Sequence, residues 1–474
     1  MSFFYASVSG NHYLRNLNNM NKFLSLLVSS AVCVTAFAEG YQINTLSAKQ
    51  LGMGHTGVAL KLGAESMIFN PAALGFSDKT LDISASFTGI KAIGKATYEG
   101  NTYSTDNGVS TPLAVSAGFK VYDNLQVGIS FFTPYGSSID WGKNWAGAVL
   151  NQNVALKVYT IQPSVAWKIT PELSIGAGMM LAWGTVDLNK ALVSPSTLDK
   201  VLPVLAAAGQ LPPSVADYRF GLTTPASVNL NGKSAIALGA NIGVMYDISA
   251  TVTLGASFRT KMNMKVESGD AAVEYANEIA RTILEKDLNI INSANFAASM
   301  PCPYVFSFGA SWRPVDKLTL AADAQLTGWK TYRNLNIDFL DPMLDPYDQN
   351  LTKNYKNSWA VRIGAQYAVT NRLDARLGLM IDTTPVNMQH YNPETPGMTK
   401  IGPSAGLSFR PVPSLSIDFG FMYVAGTGAD NASCTYTDLL AAKFPALNLP
   451  AQNTFTADYS TKAFVPSLGI SYSF

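Results

Sequence analysis

With 474 residues the chain is long enough for two or three soluble domains, but only 14% of its residues are charged, against roughly 25% in ordinary globular proteins. Hydrophobic residues make up 47%, so much of the surface must tolerate being apolar. A formal net charge of +1 and the lack of basic tracts give no basis for nucleic acid as a partner.

The first element in chain order is the apolar run Phe23 to Ala38, which follows Met20-Asn21-Lys22 and ends in Ala36-Phe37-Ala38. A charged start, a short apolar stretch and a small-x-small end predict a signal peptide over residues 20–38, within a leader of residues 1–38, and a mature chain from Glu39. A membrane anchor is the alternative, but the run is short and has no stop-transfer flank. Cys33 follows Val32, where a lipid-anchor signal requires a small residue, so lipidation is not expected. No second run approaches the roughly 20 apolar residues that a spanning helix needs. The remaining way to satisfy every backbone N–H and C=O in lipid is a closed β-barrel.

Residues 39–79 lack strand alternation and are rich in glycine and small residues. As a periplasmic tail they would leave Leu46, Leu51, Met53, Val58, Leu60, Met67, Ile68 and Phe69 in water. A wide barrel has a lumen larger than its own side chains can fill. An N-terminal hatch plugging that lumen is therefore expected over residues 39–79, with the barrel occupying residues 80–474.

From there alternation recurs. In Leu113 to Val121, Leu113, Val115, Ala117, Phe119 and Val121 face one way, while Ala114, Ser116, Gly118 and Lys120 face the other. Strands are predicted near 81–90, 113–121, 124–133, 154–168, 172–188, 233–247, 251–266, 303–313, 317–330, 358–369, 372–382, 402–410, 414–424 and 463–474. The fold class is thus all-β: a 14-stranded antiparallel transmembrane β-barrel. Its connections alternate strictly. Short turns such as Thr170-Pro171 and Thr370-Asn371 carry turn-favouring residues. Long connections fall at 91–112, 134–153, 189–232, 267–302, 331–357, 383–401 and 425–462. Short periplasmic turns against long external loops, with an even strand count, are the pattern of a Gram-negative outer-membrane barrel. Within the loops, Leu198 to Ala208 and Ala271 to Ile290 read as helices.

Several motifs resemble one family. Gly40-Tyr41-Gln42-Ile43-Asn44, Leu51-Gly52-Met53-Gly54, Thr56-Gly57 and Asn70-Pro71-Ala72-Ala73-Leu74 are similar to the N-terminal hatch of the FadL/TodX transporters of long-chain fatty acids and hydrocarbons. Thr224-Pro225-Ala226-Ser227, Ser257-Phe258-Arg259-Thr260, Asp323 to Trp329 and Asp382-Thr383-Thr384-Pro385-Val386 continue the resemblance in order along the chain. It implies capture of a hydrophobic ligand at the external loops, a pocket above the hatch, and sideways release after the hatch shifts. It places an inward kink on the third strand, where Gly128 permits a close approach or a bulge.

On this reading Asn70, Pro71 and Ala72 form a rigid turn that positions the hatch, and Gly52 and Gly54 belong to the same gating segment. Alternation puts Arg259, Arg362 and Arg376, with Asp323, Asp374, Asp382 and Asp418, on the polar side of their strands. They either clamp a ligand carboxylate or, as lumenal charges that seek partners, brace the hatch. Long-chain fatty acids are the expected cargo, with outer-membrane lipids as surroundings and a monomer as the working unit. An aromatic hydrocarbon channel and a scaffold or shuttle barrel in protein secretion are the rivals. The two histidines of the mature chain, His55 and His390, are in no metal or triad spacing. No enzyme activity, metal or cofactor is expected. Cys302 and Cys434 leave a bridge undecided.

Overall fold

The computed structural model describes residues 40–440, 444, 449–450 and 452–474; the expected signal peptide lies outside them. Fourteen strands close into one antiparallel barrel. In chain order they are β1 (Leu81–Thr88), β2 (Leu113–Tyr122), β3 (Leu125–Asp140), β4 (Asn153–Lys168), β5 (Leu173–Ala191), β6 (Ala237–Asp247) and β7 (Val252–Arg259). The second half comprises β8 (Val305–Val315), β9 (Leu318–Thr327), β10 (Ser358–Thr370), β11 (Leu373–Asp382), β12 (Lys400–Val412), β13 (Leu415–Gly426) and β14 (Gln452–Ser473). Each pairs with its predecessor, and β14 closes on β1 from Asp82 opposite Ser473 to Thr88 opposite Ser467. Backbone bonds between Leu81 and Phe474 in both directions, 3.1 and 3.0 Å, complete the seam. In lipid, where an unpaired backbone group costs several kcal/mol, this closure is what makes the sheet viable.

Alternation explains the barrel's two faces. Phe87, Phe119, Phe308, Val361, Leu468 and Ile470 are among the large apolar side chains turned outward and exposed, whereas their neighbours in sequence point into the lumen. All six short turns fall where expected.

The long connections differ from expectation. They were read as loops, but much of their length continues as strand beyond the barrel. Lys91–Tyr98 pairs with the outer half of β14, Ala226–Lys233 pairs with β5, and Met262–Tyr275, Ser293–Cys302 and Asn334–Phe339 form a further ladder. The helix Pro195–Ala207 matches the first expected loop helix. The second is corrected: residues 271–275 belong to a strand, and helix begins only at Glu278, capped by Asn277, passing into a π-helical turn at Thr282–Asp287. Ala271 to Tyr275 bond to Ala226–Leu230, and that ladder outweighs the weak helical spacing of their apolar residues.

Candidate functional site

Residues 40–79 run through the barrel and touch strands around its circumference. Three short helical turns organise them: Ala48–Leu51, capped by Ser47, and the 3₁₀ turns Gly63–Ile68 and Pro71–Phe76. Asn70 has extended backbone before the last turn, and its Oδ1 accepts from Ala72 N–H at 3.1 Å. Its Nδ2 donates to Val58 O at 2.8 Å and to Val244 O of β6 at 3.1 Å. Pro71 occupies the first turn, where its missing N–H costs nothing. One fully buried amide therefore joins two parts of the segment to the wall.

The wall meets the segment with backbone. Glycines sit opposite one another across neighbouring strands as Gly118–Gly128, Gly176–Gly243, Gly255–Gly309, Gly364–Gly378 and Gly406–Gly420. Leu74 fills the space above Gly118, Met67 that above Gly128, and the Val58 carbonyl that above Gly255. Gly54, with φ +67°, donates to Ser404 Oγ at 2.9 Å. A Cβ there would lie 2.7 Å from the Ile363 oxygen and the Leu379 nitrogen. Gly52 bears directly on Gly406.

The third strand is interrupted, though not at Gly128, which is in regular register with Gly118 and Ser164. The break lies between Phe132 and Tyr135. There Pro134 cannot donate to a ladder. Pairing with β2 ends at Phe132, and every residue from Phe132 to Ser137 is buried, so the strand loses its outward face and enters the lumen. Its freed backbone pairs with the N-terminal segment: Ile43 N–H donates to Pro134 O and Gly136 N–H to Tyr41 O, both at 2.8 Å. Tyr41 lies in an aromatic nest, edge-on to Trp329 at 4.6 Å and to Tyr332 at 5.8 Å between ring centres, with Tyr135 tilted against it at 6.2 Å.

The three singled-out arginines have different settings. Arg376 lies 3.8 Å from Asp418 and 3.9 Å from Asp374, which Arg410 also holds in two bonds of 2.6 and 2.8 Å. Lys49, in the first helical turn, reaches Glu65 at 3.2 Å and Asp418 at 3.7 Å. Arg376 therefore stands in a brace between segment and wall. Arg259 donates to Ile68 O at 2.9 Å. Arg362 donates to Gln325 Oε1 at 2.9 Å. Asp323, opposite Arg362 on β9, accepts from Gly57 and Val58 N–H at 2.6 and 3.1 Å. Asp382 is buried in the wall. Cys302 and Cys434 are both free and buried.

Two apolar cavities lie above the segment. The outer one, about 380 Å³, is walled by residues including Val193, Val228, Leu230, Ile290, Phe339 and Leu439. The inner one, about 90 Å³, is bounded by Tyr41, Leu156, Leu188, Val266, Met300 and Leu335. The same strands serve both: Leu188 of the inner cavity is two residues from Lys190 of the outer, and Leu335 two from Ile337. Since alternate residues share a face, the two cavities lie along the same strand faces, a mainly apolar track. Lys190 stands at the junction, with Glu394 of the inner cavity and its buried ion-pair partner Lys353 nearby.

A lipid-skinned barrel with an internal segment and apolar cavities in series defines an outer-membrane transporter of hydrophobic molecules. Residues 29–474 match the family described as outer membrane protein transport protein (OMPP1/FadL/TodX), and the chain belongs to that family. Outer membrane protein P1 of Haemophilus influenzae is 22% identical over 438 residues, covering 86% of this chain and 91% of the relative. The long-chain fatty acid transport protein of Escherichia coli K12 is 20% identical over 418 residues, covering 85% and 91%. Among solved structures, a Pseudomonas aeruginosa FadL homologue is similar in fold with a TM-score of 0.73 at 18% identity, covering 92% of this chain and 100% of that one. The Pseudomonas putida toluene transporter TodX gives 0.65 at 17%, covering 92% and 99%.

Sequence reasoning missed the pairing of Tyr41 with the third strand, which joins residues far apart in the chain and leaves no local signal. It also missed the paired glycines, although a lumen-facing glycine recurs from strand to strand.

Proposed function

We propose that this protein carries long-chain fatty acids inward across the outer membrane, binding them first in the outer cavity and then along the track to the inner one. Supporting this cargo over an uncharged hydrocarbon is Lys190, a cation in the mainly apolar wall of the outer cavity, where the carboxylate of Asp438 already accepts from Thr197 and from Leu440 N–H. Burying a dozen methylenes is worth roughly 10 kcal/mol at about 0.8 each, and an ammonium adds recognition of a carboxylate. The ligand then meets Tyr41. Residues 40–79 act as the hatch, and Asn70, Pro71, Ala72, Gly52 and Gly54 fix its closed position. When residues 41–43 leave Pro134 and Gly136, the third strand is unpaired on that side, and the ligand passes out through the wall.

The test is mass spectrometry of molecules that co-purify with the barrel from mild detergent, together with uptake by cells lacking other fatty acid carriers. Recovered long-chain carboxylic acids and uptake weakened by Lys190→Met support the reading. Hydrocarbons alone would reassign the cargo. A polypeptide partner with no small apolar ligand would point to the scaffold or shuttle role.

A further inference from the structure

Beneath the aromatic nest, where the N-terminal segment meets β6 to β10, lies a small polar cavity of about 40 Å³. Its polar lining includes Gln42, Gln50 and His55 from the segment and Asn241, Arg259 and Arg362 from the wall. No carboxylate lines it. Arg362 is 3% exposed, and although Nη1 is bonded to Gln325, its Nε and Nη2 have no protein partner; Arg259 Nε is in the same condition. Asp323, the nearest acid by register, lies outside this lining; its Oδ2 accepts from the backbone of Gly57 and Val58, and it makes no hydrogen bond to Arg362. Two guanidinium groups thus line a space with no carboxylate in its wall, which they share with the amides of Gln42, Gln50 and Asn241.

Guanidinium N–H groups left buried without an acceptor are costly. A space of this size holds a few water-sized species, too few for a fatty acid tail. We propose that this cavity binds a small monovalent anion of the halide class, held between Arg362 and Arg259. The ion there bridges the N-terminal segment and the wall, so that it stabilises the seated segment. The inference is independent of the transported cargo, because the site is polar and lies below the apolar track.

Hydrogen exchange of residues 41–58 in the intact barrel, in sodium chloride and in sodium gluconate of equal ionic strength, tests it, since gluconate is too large for the cavity. With chloride at about ten times its dissociation constant, exchange should slow about tenfold, while peptides from β11 to β13 stay unchanged. Crystals soaked in sodium bromide should show an anomalous peak between Arg259 and Arg362. In Arg362→Gln the chloride dependence should vanish. Equal exchange in the two salts, or water density in place of bromide, would overturn the proposal using the wild-type protein alone.

Discussion

Replacing Asn70 by alanine would cut the joint that binds two parts of the N-terminal segment to β6. The side chain makes three hydrogen bonds, to Val58 O, Val244 O and Ala72 N–H, and is fully buried. Loss of the cap costs about 1 kcal/mol, and two carbonyls left without that donor cost on the order of 1–3 kcal/mol. A sum of about 3 kcal/mol corresponds to roughly a hundredfold rise in local opening. The fourteen-strand ladder is untouched, so the barrel should still assemble, with an unchanged β-sheet circular dichroism spectrum. Hydrogen exchange should therefore accelerate about a hundredfold across residues 58–76 and little in β10 to β14. An assembled Asn70→Ala barrel with wild-type exchange in that segment would refute the argument. Normal long-chain fatty acid uptake by the same variant would remove the residue's functional role and leave only a structural one.

Gly54→Val should loosen the loop at residues 52–57, because the backbone is left-handed there and the new side chain would meet Ile363 and Leu379; about 1–2 kcal/mol comes from the conformation alone, visible as protease cleavage near Gly57. Burial, with the nearby Arg362 charge adding to it, depresses the pKa of His55 to about 3. The neutral form is thus favoured when the segment is seated. Its contribution is full above the ordinary value of about 6.5 and is lost as pH falls from there toward about 3. Bilayer conductance should rise over that window, and His55→Gln should flatten the rise. Leu230→Asp, placing a negative charge in the outer cavity, should weaken binding of a fluorescent fatty acid at least about tenfold, while Tyr122→Ala on the exposed outer surface should not.

The barrel was legible because its physics is local. A strand with lipid on one side and lumen on the other must alternate, and Leu113 to Val121 or Leu415 to Tyr423 records that alternation residue by residue. The external strands were missed because nothing there demands a lipid face: Val228 and Leu230 lie against the outer cavity, while the other side carries exposed polar residues such as Asn263, Lys265 and Glu267. The site was less legible because it depends on register. Arg376 could be assigned to the lumen from its position on a strand, but its place in a brace follows from Ser408 falling opposite Asp374 on one side and Asp418 on the other. Arg259 and Arg362 look equivalent to Arg376 in sequence, and only the cross-strand neighbours separate them. Of the two expectations for Gly128, the close approach is met by Met67, while the break falls at Phe132–Tyr135, where Pro134 and the distant Tyr41 segment decide it.

The paired glycines bear on what the cell risks at each transport event. At those ten positions the wall brings no side chain into the lumen, and on the proposed function residues 40–79 are the insulation of the pore. Complete ejection would open a hole bounded by backbone and wide enough for ions and small polar solutes, defeating the permeability barrier of the outer membrane. On the proposed function, transport therefore proceeds by a partial shift near Tyr41 while the turns at Gly52–Gly54 and Asn70–Ala72 keep their seats.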